Sequence, residues 1–91
     1  MNLSNSENNE LCYPVLFPLK VIGLDEDDFK TFVISIVRQH IPELLEENII
    51  SKVSGHQKYR SVSFQFIAES RTQVDALYAE LSSHKRVIMI L

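Results

Sequence analysis

The side chains that most often perform chemistry in proteins are few and widely separated in this sequence. Three histidines, His40, His56 and His84, have no cysteine or carboxylate at a metal-ligand spacing. A structural or catalytic zinc site needs three or four converging ligands, so we predict no metal site. The single cysteine, Cys12, lacks the basic or helical surroundings that activate a thiol. We therefore predict neither a catalytic cysteine nor an intramolecular disulfide.

The acidic run Asp25–Asp28 has the composition of a cation site or of an acid–base pair. Asp25 is also a good N-cap, and carboxylates in a first turn stabilise the positive end of a helix dipole. Because a helical pattern follows directly, we favour this capping interpretation. The basic residues Lys52, Lys58 and Arg60 have the charge to bind an anion, or they form the solvated surface of a hairpin.

Hydrophobic periodicity predicts the elements that position these residues. Apolar side chains alternate along the predicted strands and recur at i, i+3, i+4 and i+7 along the predicted helices. Ser70 and Gln73 form a capping-box signature before the second helix. The predicted order is a strand at 15–23, a helix from Asp25 to about His40, strands at 49–54 and 59–68 joined by a 55–58 turn, a helix after Ser70 that ends near residue 84, and a strand at 86–91.

This βαββαβ order indicates an α+β, ferredoxin-like domain. Right-handed crossovers give a four-stranded antiparallel sheet in the order 4-1-3-2, with both helices on one face. That arrangement places the acidic run at the same end of the sheet as Lys52, His56, Lys58, Arg60, Lys85 and Arg86. The predicted core is Phe17, Leu19, Val21, Phe29, Phe32, Val33, Ile36, Val37, Val62, Phe64, Phe66, Val74, Leu77, Leu81, Val87 and Met89.

The opposite face of the sheet is more apolar than a wholly solvated surface requires. An apolar patch of this kind is typical of a contact with another protein, although scattered surface apolar residues are also normal. We predict a partner surface, for a protein or a second copy, formed by Leu16, Ile22, Ile67, Ile88 and Ile90.

Length and composition limit the remaining possibilities. Ninety-one residues make one domain at most, and we divide the chain into a flexible tail at 1–12 and a domain at 13–91. The net charge of -3 argues against broad nucleic-acid binding. No apolar run is as long as the roughly 20 residues of a membrane span, and the N-terminus does not have the pattern of a signal peptide. We predict a cytoplasmic protein with no membrane contact.

Several short segments of the sequence resemble the YbeD-like family of small bacterial proteins. The resemblance covers about residues 13–91 and rests on Lys20-Val21-Ile22-Gly23, on Tyr59-Arg60-Ser61-Val62-Ser63 and on the helix from Gln73 to Leu81. It implies a fold like that of ACT-type regulatory domains and a bacterial origin. It supplies no catalytic residues, because none are established for that family.

We predict a small non-enzymatic regulatory or adaptor domain without a cofactor. The resemblance implies a small-ligand site at the turn after strand 1, at Gly23, Leu24 and Asp25, where the acidic first turn favours a cationic or amino-bearing ligand. A plain strand-to-helix turn explains the same residues. Two alternatives stay open: an RNA-binding module of the same fold, and an enzyme of a type whose motifs we do not recognise. RNA-recognition domains need aromatic side chains on the open sheet face, whereas Phe64 and Phe66 share the parity that faces the helices.

Overall fold

The computed structural model describes residues 12–26, 28–56 and 58–91. Most of the predicted tail, and Asp27 of the acidic run, lie outside the described residues. The elements are strand β1 (Val15–Leu24), helix α1 (Phe29–His40), a 3-10 turn (Glu46–Asn48), strand β2 (Ile49–Ser54), strand β3 (Tyr59–Ala68), helix α2 (Arg71–Ser82) and strand β4 (Val87–Ile90). Within these residues no helix is long and apolar enough to cross a membrane.

The four strands form one antiparallel sheet in the order β2-β3-β1-β4, which confirms the predicted 4-1-3-2 order. The central pair is regular over ten residues of each strand, with Leu19 opposite Phe64 and Val21 opposite Val62. Because successive side chains point to opposite faces, this register turns those four residues towards the helices. Each of them is at most 2% exposed.

Both helices pack on that face and complete the core. Phe29, Val33 and Val37 of α1 and Leu77 and Leu81 of α2 are almost completely buried, as their helical spacing predicts. The connector after α1 adds core residues that the periodicity did not indicate. Ile41 is 2% exposed and Leu44 is 6% exposed.

The last strand departs from the predicted alternation. Its register against β1 shifts between Ile22 and Gly23, so Met89 pairs with Ile22 whereas Val87 pairs with Gly23. The extra residue of such a bulge reverses the parity of the side chains beyond it. The predictions for Met89 and Ile90 were therefore wrong. Met89 is 49% exposed and shares a face with Ile22, while Ile90 packs against the core.

Helix α1 begins later than its N-cap signal predicted. Asp25 is not the N-cap, because its backbone N–H donates to the Lys58 carbonyl at 2.8 Å and prolongs the contact of β1 with β3. The N-cap is Asp28, and its side chain makes no capping hydrogen bond. The second helix begins as predicted, since Oγ of Ser70 accepts from the Gln73 N–H at 3.1 Å.

Pro18 occurs inside a paired strand without interrupting it. It lies opposite Gln65 of β3, and Lys20, two residues on, directs its N–H towards Leu91 on the other side of the strand. Residues two apart in a strand direct their N–H groups to the same side, so the Pro18 nitrogen points away from β3. On that side of β1, Pro18 lies past the end of β4, so no neighbouring strand requires a hydrogen bond from its nitrogen.

Candidate functional site

The turn after β1 is one of the two places where the sequence predicts binding. Gly23 is buried, and a Cβ at this position would overlap the Phe29 ring and the Arg86 carbonyl oxygen. Glycine is therefore required for close packing, and its φ is not positive. Leu24 is 40% exposed. Asp25, one of the three predicted ligand residues, lines a surface cleft.

Asp25 is held in place by an arginine from the hairpin. Nε of Arg60 donates to Oδ1 of Asp25 at 2.7 Å, and its Nη1 donates to the Ser51 hydroxyl at 2.6 Å. The Arg60 and Asp25 side chains are about one-quarter exposed, so this pair is better shielded from solvent than an ordinary surface ion pair. The adjoining cleft, of about 430 Å³, is also lined by Lys30 and Thr31.

A second arginine ties the start of β4 to the start of α1. Nη2 of Arg86 lies 2.9 Å from Oδ1 of Asp28, and its Nε lies 3.5 Å from Oε1 of Glu26. The guanidinium also lies over the Phe32 ring, 4.8 Å from its centroid, at a distance where cation–π attraction is effective. Nε and Nη2 are buried and neither completes a well-aligned hydrogen bond, so these contacts are ion pairs. The side-chain contact and the charge of Arg86 lower the pKa of Asp28.

For Arg60 and Arg86, these pairs confirm the predicted clustering of charge at this end of the sheet. Arg60 and Arg86 neutralise carboxylates that neighbour the turn, and both lie on the helix side of the sheet. Among the described residues, no group of three or more His, Cys, Asp or Glu side chains is arranged to hold a metal ion. This end of the molecule is a set of paired charges beside a small polar cleft.

The sheet face away from the helices, here called the open face, is the second candidate site. Five large apolar side chains on it are between 49% and 60% exposed: Leu16, Ile50, Ile67, Met89 and Leu91. Its centre is polar, with Lys20 opposite Ser63 and Pro18 opposite Gln65. A groove of about 430 Å³ runs over this centre between Ile50 and Leu91, and Glu47 and Asn48 line it as well.

Most of the predicted partner surface lies where the parity placed it. Leu16 and Ile67 are exposed neighbours at one end of the open face, and Ile22 is half-buried at the other end, next to Ser61 and Met89. Ile88 is the extra residue of the bulge and is 52% exposed. Ile90 does not belong to this surface, because it turns towards the helices.

The sequence interpretation missed three apolar residues of the open face. Ile50 lies opposite Ser63. The alternation of β3 puts Ser63 on the open face, and pairing of the two hairpin strands could therefore have placed Ile50 there. Met89 was missed because the bulge changes its parity. Leu91 exchanges two backbone hydrogen bonds with Lys20, at 2.8 Å and 3.1 Å, and so extends the β4 ladder by one residue.

The two phenylalanines of β3 face the helices, as predicted. Phe64 is 1% exposed and Phe66 is 4% exposed. The open-face positions between and beside them hold Ser63 and Gln65. RNA-recognition domains of this fold stack bases on aromatic residues that face outward, and these two phenylalanines face inward.

Solved structures of low sequence identity share this fold. The ACT domain from a GTP pyrophosphokinase of Chlorobium tepidum superposes with a TM-score of 0.67 at 9% identity, over 85% of this chain and 83% of that domain. A protein from H. pylori superposes with a TM-score of 0.65 at 14% identity, over 89% of this chain and 85% of the other. The fold is therefore ACT-like and ferredoxin-like, as the element order and the resemblance both indicated.

Bacterial relatives match the chain over most of its length. A UPF0250 protein of Janthinobacterium is 42% identical over 79 residues, which are 87% of each chain. A UPF0250 protein of Chromobacterium violaceum is 34% identical over 88 residues, which are 96% of this chain and 99% of the relative. Residues 8–91 match the family described as "protein of unknown function (DUF493)". The chain therefore belongs to this DUF493 family of small bacterial proteins, the group that the YbeD-like resemblance indicated.

Proposed function

We propose that this protein is a small non-enzymatic regulatory or adaptor module that binds another protein through its open face. The observation that supports this proposal is the set of five large apolar side chains, each about half exposed, on one side of a single sheet. Single exposed leucines and isoleucines are normal on protein surfaces. A group of them on one face of a sheet is typical of an interaction site.

The arrangement of polar groups on the open face fits a protein partner. Lys20, Ser63 and Gln65 lie in the middle of the face, and apolar side chains flank them on both sides. The central groups offer hydrogen bonds that fix the position of a partner, while the flanking side chains contribute apolar contact area. The resemblance to a domain of a GTP pyrophosphokinase supports a regulatory role, since that domain belongs to a larger enzyme.

The experiment compares proteins captured from a bacterial lysate by the wild-type chain and by two variants. Ile67→Lys places a charge on the open face, and Ala76→Lys places the same charge on the exposed side of α2. We expect the wild type and Ala76→Lys to retain the same partners and Ile67→Lys to lose them, with circular dichroism showing that all three are folded. Equal retention by all three would contradict the proposal.

A second candidate function is the binding of a small amino-bearing ligand at the polar cleft beside the β1–α1 turn. The supporting observation is that Asp25, Glu26, Lys30, Thr31 and Arg60 line one cleft, which offers both signs of charge to a zwitterion such as an amino acid. A thermal-shift panel of amino acids and polyamines tests it, with Lys30→Ala as the variant. Any stabilising compound should lose its effect in Lys30→Ala, and a panel without stabilising compounds would reject this candidate.

The proposal also includes a cytoplasmic location and no RNA binding. The buried Phe64 and Phe66 favour the second of these, because the central open-face positions of β3 hold Ser63 and Gln65, which give bases little to stack on. Retention on single-stranded RNA that falls with added salt would contradict it.

A further inference from the structure

We infer that the partner of the open face is a second copy of this chain, packed face to face with its strands reversed end to end. This inference rests on the proposed function, and it names the occupant and its orientation. Its basis is a charge gradient along the open face, which makes the surface complementary to itself when the two ends are exchanged.

The two ends of the open face carry opposite charge. At the hairpin end, Lys52 shares a row with Ser61 and Ile22. At the other end, Glu47 lines the central groove, and Glu43 and Glu69 line the surface depression beside Leu16 and Ile67.

The described carboxylates near the hairpin end are paired with arginines. Asp25 is paired with Arg60, while Glu26 and Asp28 are paired with Arg86. Among the described residues, Lys52 is the charged side chain that the strand register places on the open face at this end.

A two-fold axis that lies across the strands brings the opposite charges together. We place the axis midway between the Pro18–Gln65 row and the Lys20–Ser63 row, which are two residues apart. It then sets the Ile22 row of one copy against the Leu16 row of the other. On the β2 side, Lys52 faces the turn of the second copy that contains Glu47, and the contact occurs twice because the interface is symmetric.

The same operation avoids contacts between like charges at the centre. Lys20 faces the row of Pro18 and Gln65 in the second copy, where an amide oxygen can accept a hydrogen bond. An axis along the strands instead keeps the acidic ends of the two copies together and leaves Lys52 of one copy away from Glu47 of the other. Face-to-face sheets pack about 10 Å apart, a distance that the side chains of Lys52 and Glu47 can span from opposite sheets.

The size of the open face fits a weak dimer. Strands β1 and β3 have ten residues each, β2 has six and β4 has four, which makes thirty strand residues. At about 3.3 Å per residue and about 4.8 Å per strand, two copies cover roughly 950 Å² in projection, close to the roughly 1,000 Å² that a specific interface needs. We expect association that depends on concentration in the micromolar range.

Charge reversal at the two ends tests the orientation. We would measure the dimer dissociation constant by sedimentation and light scattering for the wild type, Lys52→Glu, Glu47→Lys and an equimolar mixture of the two variants. Each variant alone brings like charges together twice, so we expect its dissociation constant to rise roughly tenfold or more at low salt. The mixture restores both opposite-charge contacts and should associate as the wild type does. Arg71→Glu, at the exposed start of α2, is the control for a change of net charge.

Each outcome separates this inference from the proposed function. Weakening by both single variants together with recovery in the mixture supports the reversed dimer. Single variants that associate like the wild type, or a mixture that stays monomeric, would overturn it. A wild type that is monomeric at every concentration would overturn it too, while partner capture that depends on Ile67 would leave the proposed function standing.

Discussion

Replacement of Gly23 by alanine should destabilise the fold strongly. The added Cβ would overlap the Phe29 ring and the carbonyl oxygen of Arg86. Overpacking of this kind typically lowers the free energy of unfolding by about 1–3 kcal/mol. We expect a loss near the upper end of this range, because the Arg86 oxygen belongs to the backbone and cannot rotate away. For a domain of this size each kcal/mol lowers Tm by about 4–8 °C, so Tm should fall by at least about 10 °C.

Urea unfolding followed by far-ultraviolet circular dichroism measures this cost. Phe29→Leu is the companion variant, because leucine lacks the two ring atoms that approach position 23 most closely. The alanine should therefore cost at least about 1 kcal/mol less in the Phe29→Leu background than in the wild type, as residues in contact are not additive. A Gly23→Ala protein as stable as the wild type, or two substitutions that simply add, would refute the packing explanation. Unchanged stability would then favour a ligand role for this turn.

Two further predictions test other contacts of the β4 strand. Because Arg86 lowers the pKa of Asp28, this carboxylate stabilises the fold above its unfolded pKa of about 3.9, and the stabilisation is lost as the pH falls through the lower folded pKa. In urea unfolding, the stability advantage of the wild type over Asp28→Asn should therefore shrink below about pH 4. Parallel pH profiles of the two proteins would contradict this. The bulge predicts that Ile90→Ala costs about 2 kcal/mol, whereas Met89→Ala costs less than about 0.5 kcal/mol; the opposite ranking in the same assay would show that the shifted register is wrong.

The parts of the fold that the sequence predicted are those with a clear period. In β3, alternation placed Val62, Phe64 and Phe66 on one face, and the neighbouring strand repeats the pattern. Helical spacing located the buried side of both helices for the same reason. Ser70 was a reliable cap because its hydrogen bond to Gln73 is local in sequence.

The errors occurred where a distant contact decides between local alternatives. In the Asp25–Asp28 run each aspartate is a plausible N-cap, and Arg60, 35 residues away, fixes the conformation by binding Asp25. The last strand is apolar at every position from Val87 to Leu91, so its sequence cannot reveal which side chains face inward. The bulge opposite Gly23 decides that, and its register depends on packing against β1.

The distribution of charged contacts separates the part of the molecule that stabilises the fold from the part that is available for binding. The ion pairs among the described residues involve helices, connectors and the helix side of the sheet. None of them uses Lys20 or Lys52 of the open face. Substitution of a charge on the open face should therefore leave folding nearly unchanged, since no ion pair is broken. The open face can vary in charge at little cost in stability, which makes it the surface where binding specificity can change independently of the fold.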